Sequence, residues 1–101
     1  MISEMNVLQF VKEFNEVRPN CFTKAGLASL FIEFLSYVED TGCDVEFDPI
    51  AMCGQYSEYE NFDEFHKAYP EIEDFDELCD LARIILVDDD GFIVDENTLS
   101  V

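Results

Sequence analysis

The chain reads as an α+β domain: two N-terminal helices packed on a three-stranded antiparallel sheet, with two short helices inserted before a C-terminal hairpin. Three observations predict it. Apolar residues recur at helical spacing through most of the first forty positions, strict apolar–acid alternation follows near residue 45, and an Asp-Gly pair near the C-terminus separates two apolar runs. At 101 residues, with 49% hydrophobic content and ten Phe, the chain is expected to form one domain over 1–101 around a real core.

Ser3 can cap a first helix over about 4–16, whose Val7, Phe10, Val11 and Phe14 form one apolar stripe. Arg18-Pro19-Asn20 ends it. Thr23 is a good N-cap for a longer helix over about 24–40, with Leu27, Leu30, Phe31, Phe34, Leu35 and Val38 on its stripe and Gly42 closing it. Asp44 to Asp48 alternates apolar against acid, as a half-buried strand does. Pro49 predicts a bend or an edge there, and Ile50 to Tyr59 reads as continued strand with a bulge at Gly54. Asn61-x-x-Glu64 and Asp74-x-x-Glu77 both match capping boxes, so two short helices follow, separated by Pro70. The runs 83–88 and 92–96 flank Asp90-Gly91, the signal of a tight hairpin.

Charge narrows the function. Twenty-four Asp and Glu face five Lys and Arg, a formal net charge of −19. Too few cations are present to neutralise a phosphate backbone or an anionic bilayer, so no direct nucleic acid or membrane contact is expected. No apolar run approaches the length of a membrane span, and the acidic N-terminus is unlike a secretory signal. Cys21, Cys43, Cys53 and Cys79 lack paired spacing and read as free, buried thiols of a cytoplasmic protein. The charge is also uneven: from Glu33 to Glu96 there are 21 acids, opposed only by Lys67 and Arg83.

Catalytic patterns are missing. Aligning Gly91 with the glycine of a calcium loop puts Leu86 and Asn97 at its two end ligand positions, so the Asp88-Asp89-Asp90 run reads as a turn. His66 is a lone packing or surface histidine. Neither a zinc spacing nor a nucleophile motif nor a phosphate-binding loop is present, so no enzyme and no cofactor is expected.

The acids instead form like-charge rows. Helical geometry over 74–82 turns Phe75, Leu78, Cys79 and Ala82 inward and leaves Glu73, Asp76, Glu77 and Asp80 as a negative stripe. Such pairs each cost about 0.2–0.5 kcal/mol. On a strand, Asp44, Glu46 and Asp48 would project from one face about 6.7 Å apart. A charge of −19 equals that of about 32 Å of duplex DNA, close to the roughly 33 Å diameter of a domain this long.

Thr23-Lys24-Ala25-Gly26-Leu27, Phe47-Asp48-Pro49-Ile50-Ala51-Met52-Cys53 and Ser57-Glu58-Tyr59 resemble a group of small acidic bacteriophage and prophage proteins. These share a helix ending in an acidic turn, an FDPIA-x-C strand and a following (S/T)EY. The resemblance spans about residues 20–96. It implies a phage or mobile-element origin and a helix–strand fold. Short, very acidic phage proteins include antirestriction and anti-CRISPR inhibitors that mimic DNA. Gly54 stands where a second Cys would be expected, so no role for a Cys pair carries over.

Together these features predict a non-enzymatic inhibitor of a host nucleic-acid-binding defence complex, a CRISPR effector or restriction enzyme, acting in the host cytoplasm through carboxylates that stand in for phosphates. The residues expected to meet that basic protein are Asp44, Glu46, Asp48, Glu58, Glu60, Asp63, Glu64, Glu73, Asp76, Glu77 and Asp80, with Tyr56 and Tyr59. The alternative is an acidic adaptor or regulatory module that binds a basic protein without replacing DNA.

Overall fold

A computed structural model describes residues 2–88 and 90–99. Asp89, in the middle of the predicted acidic turn, lies outside the described residues. The architecture is the α+β class that the sequence predicts, with helices preceding a three-stranded antiparallel sheet. The chain divides into two compact units, Met1–Gly54 and Gln55–Val101. No helix among the described residues is long and apolar enough to cross a membrane.

The first unit is built around aromatic rings. A 3-10 turn over Ile2–Glu4 precedes α1 (Val7–Val17), and Asn6 caps α1 by accepting from the Gln9 N–H. The expected cap, Ser3, is instead bound to Asp44, which shifts the helix start by a few residues. Helix α2 (Lys24–Thr41) has the predicted caps: Thr23 accepts from Gly26 N–H, and Gly42 ends the helix at φ 72°. That left-handed conformation suits a residue without a side chain. Phe10 lies 5.2 Å from Phe31 and 5.5 Å from Phe47, while Phe14 lies 5.6 Å from Phe22, all between ring centroids. These tilted and edge-to-face pairs each add about 0.5–1.5 kcal/mol beyond their burial.

The alternating segment 44–48 is not a strand. Ile2 N–H donates to the Val45 carbonyl, Asp44 accepts from Ser3 and Val45, and Asp48 accepts from Ala51 N–H. Val45 and Phe47 are half-buried between exposed acids, so the burial alternates without a β-ladder. Pro49 likewise has a different role. It is the first residue of α3 (Pro49–Gln55), where its missing N–H is no loss and its fixed φ already suits a helix. The expected bulge at Gly54 is therefore a position inside that helix, and strand begins only at Tyr56.

In the second unit, β1 (Tyr56–Tyr59) and β2 (Arg83–Val87) both pair antiparallel with the central β3 (Gly91–Asp95). Between β1 and β2 come α4 (Phe62–Ala68) and α5 (Phe75–Leu81). Both predicted capping residues act as such: Asn61 accepts from Glu64 N–H at 2.9 Å and Asp74 from Glu77 N–H at 2.8 Å. Phe65, Ile72, Leu78, Ala82, Phe92 and Val94 make the buried cluster on one face of the sheet. Cys79 is exposed, contrary to its expected inward position, and Leu81 is the half-buried residue instead.

The hairpin differs from the expected Asp90-Gly91 turn. Gly91 already pairs with Val87 as the first residue of β3, so it belongs to the strand and not to the turn, and Asp88 has φ 55°. A Cβ on Gly91 would lie 2.8 Å from the Val87 carbonyl oxygen and 3.4 Å from that of Tyr59. Glycine is required there for close approach of three backbones, not for a positive φ.

Candidate functional site

Acids are concentrated in the second unit, which holds fifteen Asp and Glu against Lys67 and Arg83; the first holds nine against three. Glu60, Asp63, Glu64, Glu71, Glu73, Asp74, Asp76, Asp80, Asp88 and Asp90 are all exposed there. Of the sequence-predicted contact residues, Glu58 and Glu77 are half-buried, and the rest of the acids face solvent.

Several of these carboxylates have local structural work. Asp74 caps α5, and Asp76 and Glu77 lie in its first turn, as Asp63 and Glu64 do in α4. Negative charge at a helix N-terminus is favoured by about 0.3–1 kcal/mol. Asp48 caps α3 through Ala51. Asp44 accepts from the Ser3 hydroxyl, and that bond holds its carboxyl below the usual range despite some desolvation; the Ser3 and Val45 N–H groups add to the effect. With 44–48 outside any strand, the regular row of Asp44, Glu46 and Asp48 does not exist, and these three belong to the first unit.

Asp80 has no such role. It sits in the last turn of α5, the end where a helix disfavours negative charge, one turn from Asp76 and from Glu77. Asp76 and Asp80 also act on the neighbouring exposed Cys79, whose thiol is pushed up first by desolvation and then by these two charges.

Tyr59 is a core residue more than a surface one. Its ring meets Phe65 edge-on at 5.1 Å and Phe92 at 5.7 Å, and burial pushes its phenol up. Tyr56 is half-buried and pairs across β1–β3 with Asp95. Asp95 is itself buried and accepts from Gln55 Nε2 and Asn97 N–H, a role that the acid-rich composition concealed.

His66 Nδ1 lies 2.8 Å from the Ile72 carbonyl, so Nδ1 carries the proton it donates, and its ring packs against Phe62. All four cysteines are free; Cys21 and Cys53 are half-buried, while Cys43 and Cys79 are exposed, so only part of the expected burial is present. Burial pushes the Cys53 thiol up to about 12, helped by a hydrogen bond with Cys21. Among the described residues no group of His, Cys, Asp or Glu is arranged to hold a metal ion.

One feature escaped the sequence reading. An open groove of about 250 Å³ in the second unit is lined by Phe62, Phe75, Leu86 and Phe92, with Asn61, Asp90 and Gly91. Leu86 is 67% exposed on the edge strand β2. The apolar run 84–87 carries no sign of which residue faces out, and Leu86 is the one that does.

The chain matches no known protein family, no curated protein and no solved structure.

Proposed function

We propose that this protein is a non-enzymatic inhibitor, of phage or mobile-element origin and acting in the host cytoplasm, that occupies the basic nucleic-acid channel of a defence complex such as a CRISPR effector or restriction enzyme. The observation that carries this reading is the second unit's surface: ten exposed carboxylates among the described residues, with only Lys67 and Arg83 in the unit to oppose them. Caps and first turns account for Asp63, Glu64, Asp74 and Asp76. Among the described residues Glu60, Glu71, Glu73, Asp80, Asp88 and Asp90 lie outside those caps and first turns, and a surface that served solubility alone would interleave cations. Carboxylates so displayed pair with Lys and Arg and steer association at low ionic strength.

The test is binding to purified CRISPR effectors and restriction enzymes with and without their DNA. The inhibitor reading requires that DNA compete, that salt weaken binding steeply, and that exchanging Glu71, Glu73 and Asp80 together for the amides weaken it further. An acidic adaptor would bind the DNA-loaded target as well as the free one. That outcome would replace the inhibitor reading with the adaptor.

A further inference from the structure

We propose that the groove between Phe62, Phe75, Leu86 and Phe92 seats an arginine side chain of the basic partner, an inference that rests on the acidic-surface reading above. Its volume of about 250 Å³ lies below the range of small-molecule sites, so it suits one side chain and not a cofactor. Its lining includes the half-buried Phe62 and Phe75, the buried Phe92 and the exposed Leu86, together with the acidic Asp90.

Arginine matches both halves. Its planar guanidinium stacks on ring faces, its carbon stem covers apolar surface, and its paired N–H groups fit a carboxylate. An aliphatic side chain would bring no charge to match Asp90 in the lining. Lysine is a compact, strongly hydrated charge that gains less from stacking. A second copy of this chain is disfavoured by a net charge of −19 on each molecule. The bases of the unit, Lys67 and Arg83, are not part of the lining.

The experiment uses the full chain and two labelled peptides of equal charge, one alternating Arg and Gly, the other Lys and Gly, measured by fluorescence anisotropy. Wild type is expected to bind the arginine peptide about fivefold more tightly than the lysine peptide, the size of a surface cation–π contact. Leu86→Ser and Asp90→Asn, both at exposed positions, should bring that ratio to about one. Glu71→Gln, in the exposed loop between α4 and α5, should weaken both peptides alike and keep the ratio. In the unmodified protein, the Leu86 methyl and Phe75 ring NMR signals should move with the arginine peptide more than with the lysine peptide.

Equal, salt-sensitive binding of both peptides by wild type overturns the groove assignment and leaves the acidic surface standing. An arginine preference that survives in both groove variants overturns it as well. Failure of both peptides to bind even at low salt overturns both readings.

Discussion

Replacing Asp80 by Lys separates charge kept for binding from charge kept for folding. Asp80 makes like-charge pairs with Asp76 and Glu77 along the exposed side of α5. Lysine turns both pairs attractive, with the acid N-terminal to the base, the better orientation; each pair changes by about 0.4–1 kcal/mol. A cation in the last turn also suits the helix dipole, while solvent screening trims the whole, leaving a gain of about 1 kcal/mol. For a chain of this size that is a rise of about 4–8 °C in Tm. Asp74→Ala, which removes the cap on Glu77 N–H, should do the opposite and cost about 1 kcal/mol. Thermal unfolding followed by circular dichroism at low salt reads both. At about 1 M salt, where the screening length is about 3 Å, the Asp80→Lys gain should shrink while the Asp74→Ala loss persists. A lowered Tm for Asp80→Lys at low salt would refute the reasoning, because it would show that the carboxylate supports the fold.

Three further outcomes follow from local geometry. Gly91→Ala should destabilise by about 1–3 kcal/mol, read as a lower urea midpoint, since its Cβ would meet backbone oxygens of Val87 and Tyr59 that cannot swing aside; an unchanged midpoint would show the strands have room. Cys53 should react with iodoacetamide at pH 8 at least about tenfold more slowly than exposed Cys43, because a thiol held up to about 12 supplies little thiolate; equal rates in mass-spectrometric mapping would contradict that. Asp44 titrates below its ordinary value in the folded chain, so its stabilising contribution is present above about pH 4 and lost as pH falls through the folded pKa. Ser3→Ala should raise that titration toward the ordinary range in carboxylate NMR, and an unmoved curve would remove the Ser3 bond as its cause.

Cap chemistry was the most legible part of this fold. The side chains of Thr23, Asn61 and Asp74 each accept from the N–H three residues on, and Gly42 bonds through its own N–H to the Val38 carbonyl four residues back, so the local sequence suffices. Residues 44–55 differ from the expected strand for a physical reason. A seven-residue helix is too short to show periodicity, and proline marks a strand's end as readily as a helix's first position. The alternation of Asp44 to Asp48 reports burial, which is real, and not hydrogen bonding, which goes to Ser3 and to a helix cap. Among the candidate contacts, spacing alone puts Asp76 and Asp80 on the exposed side of α5, whereas Glu77 of the expected stripe is half-buried and Glu73 precedes the helix. Tyr59 could not be separated from the core, nor Leu86 brought out of it, until the register of β3 was known.

The central claim is that these carboxylates occupy a place otherwise taken by nucleic acid. The most direct measurement is the affinity of the full chain for one purified defence complex, free and preloaded with its DNA, across a salt series. The account predicts tight binding to the free complex, loss of that binding on DNA loading, and a steep fall in affinity with salt. Equal affinity for the free and DNA-loaded complex would contradict it.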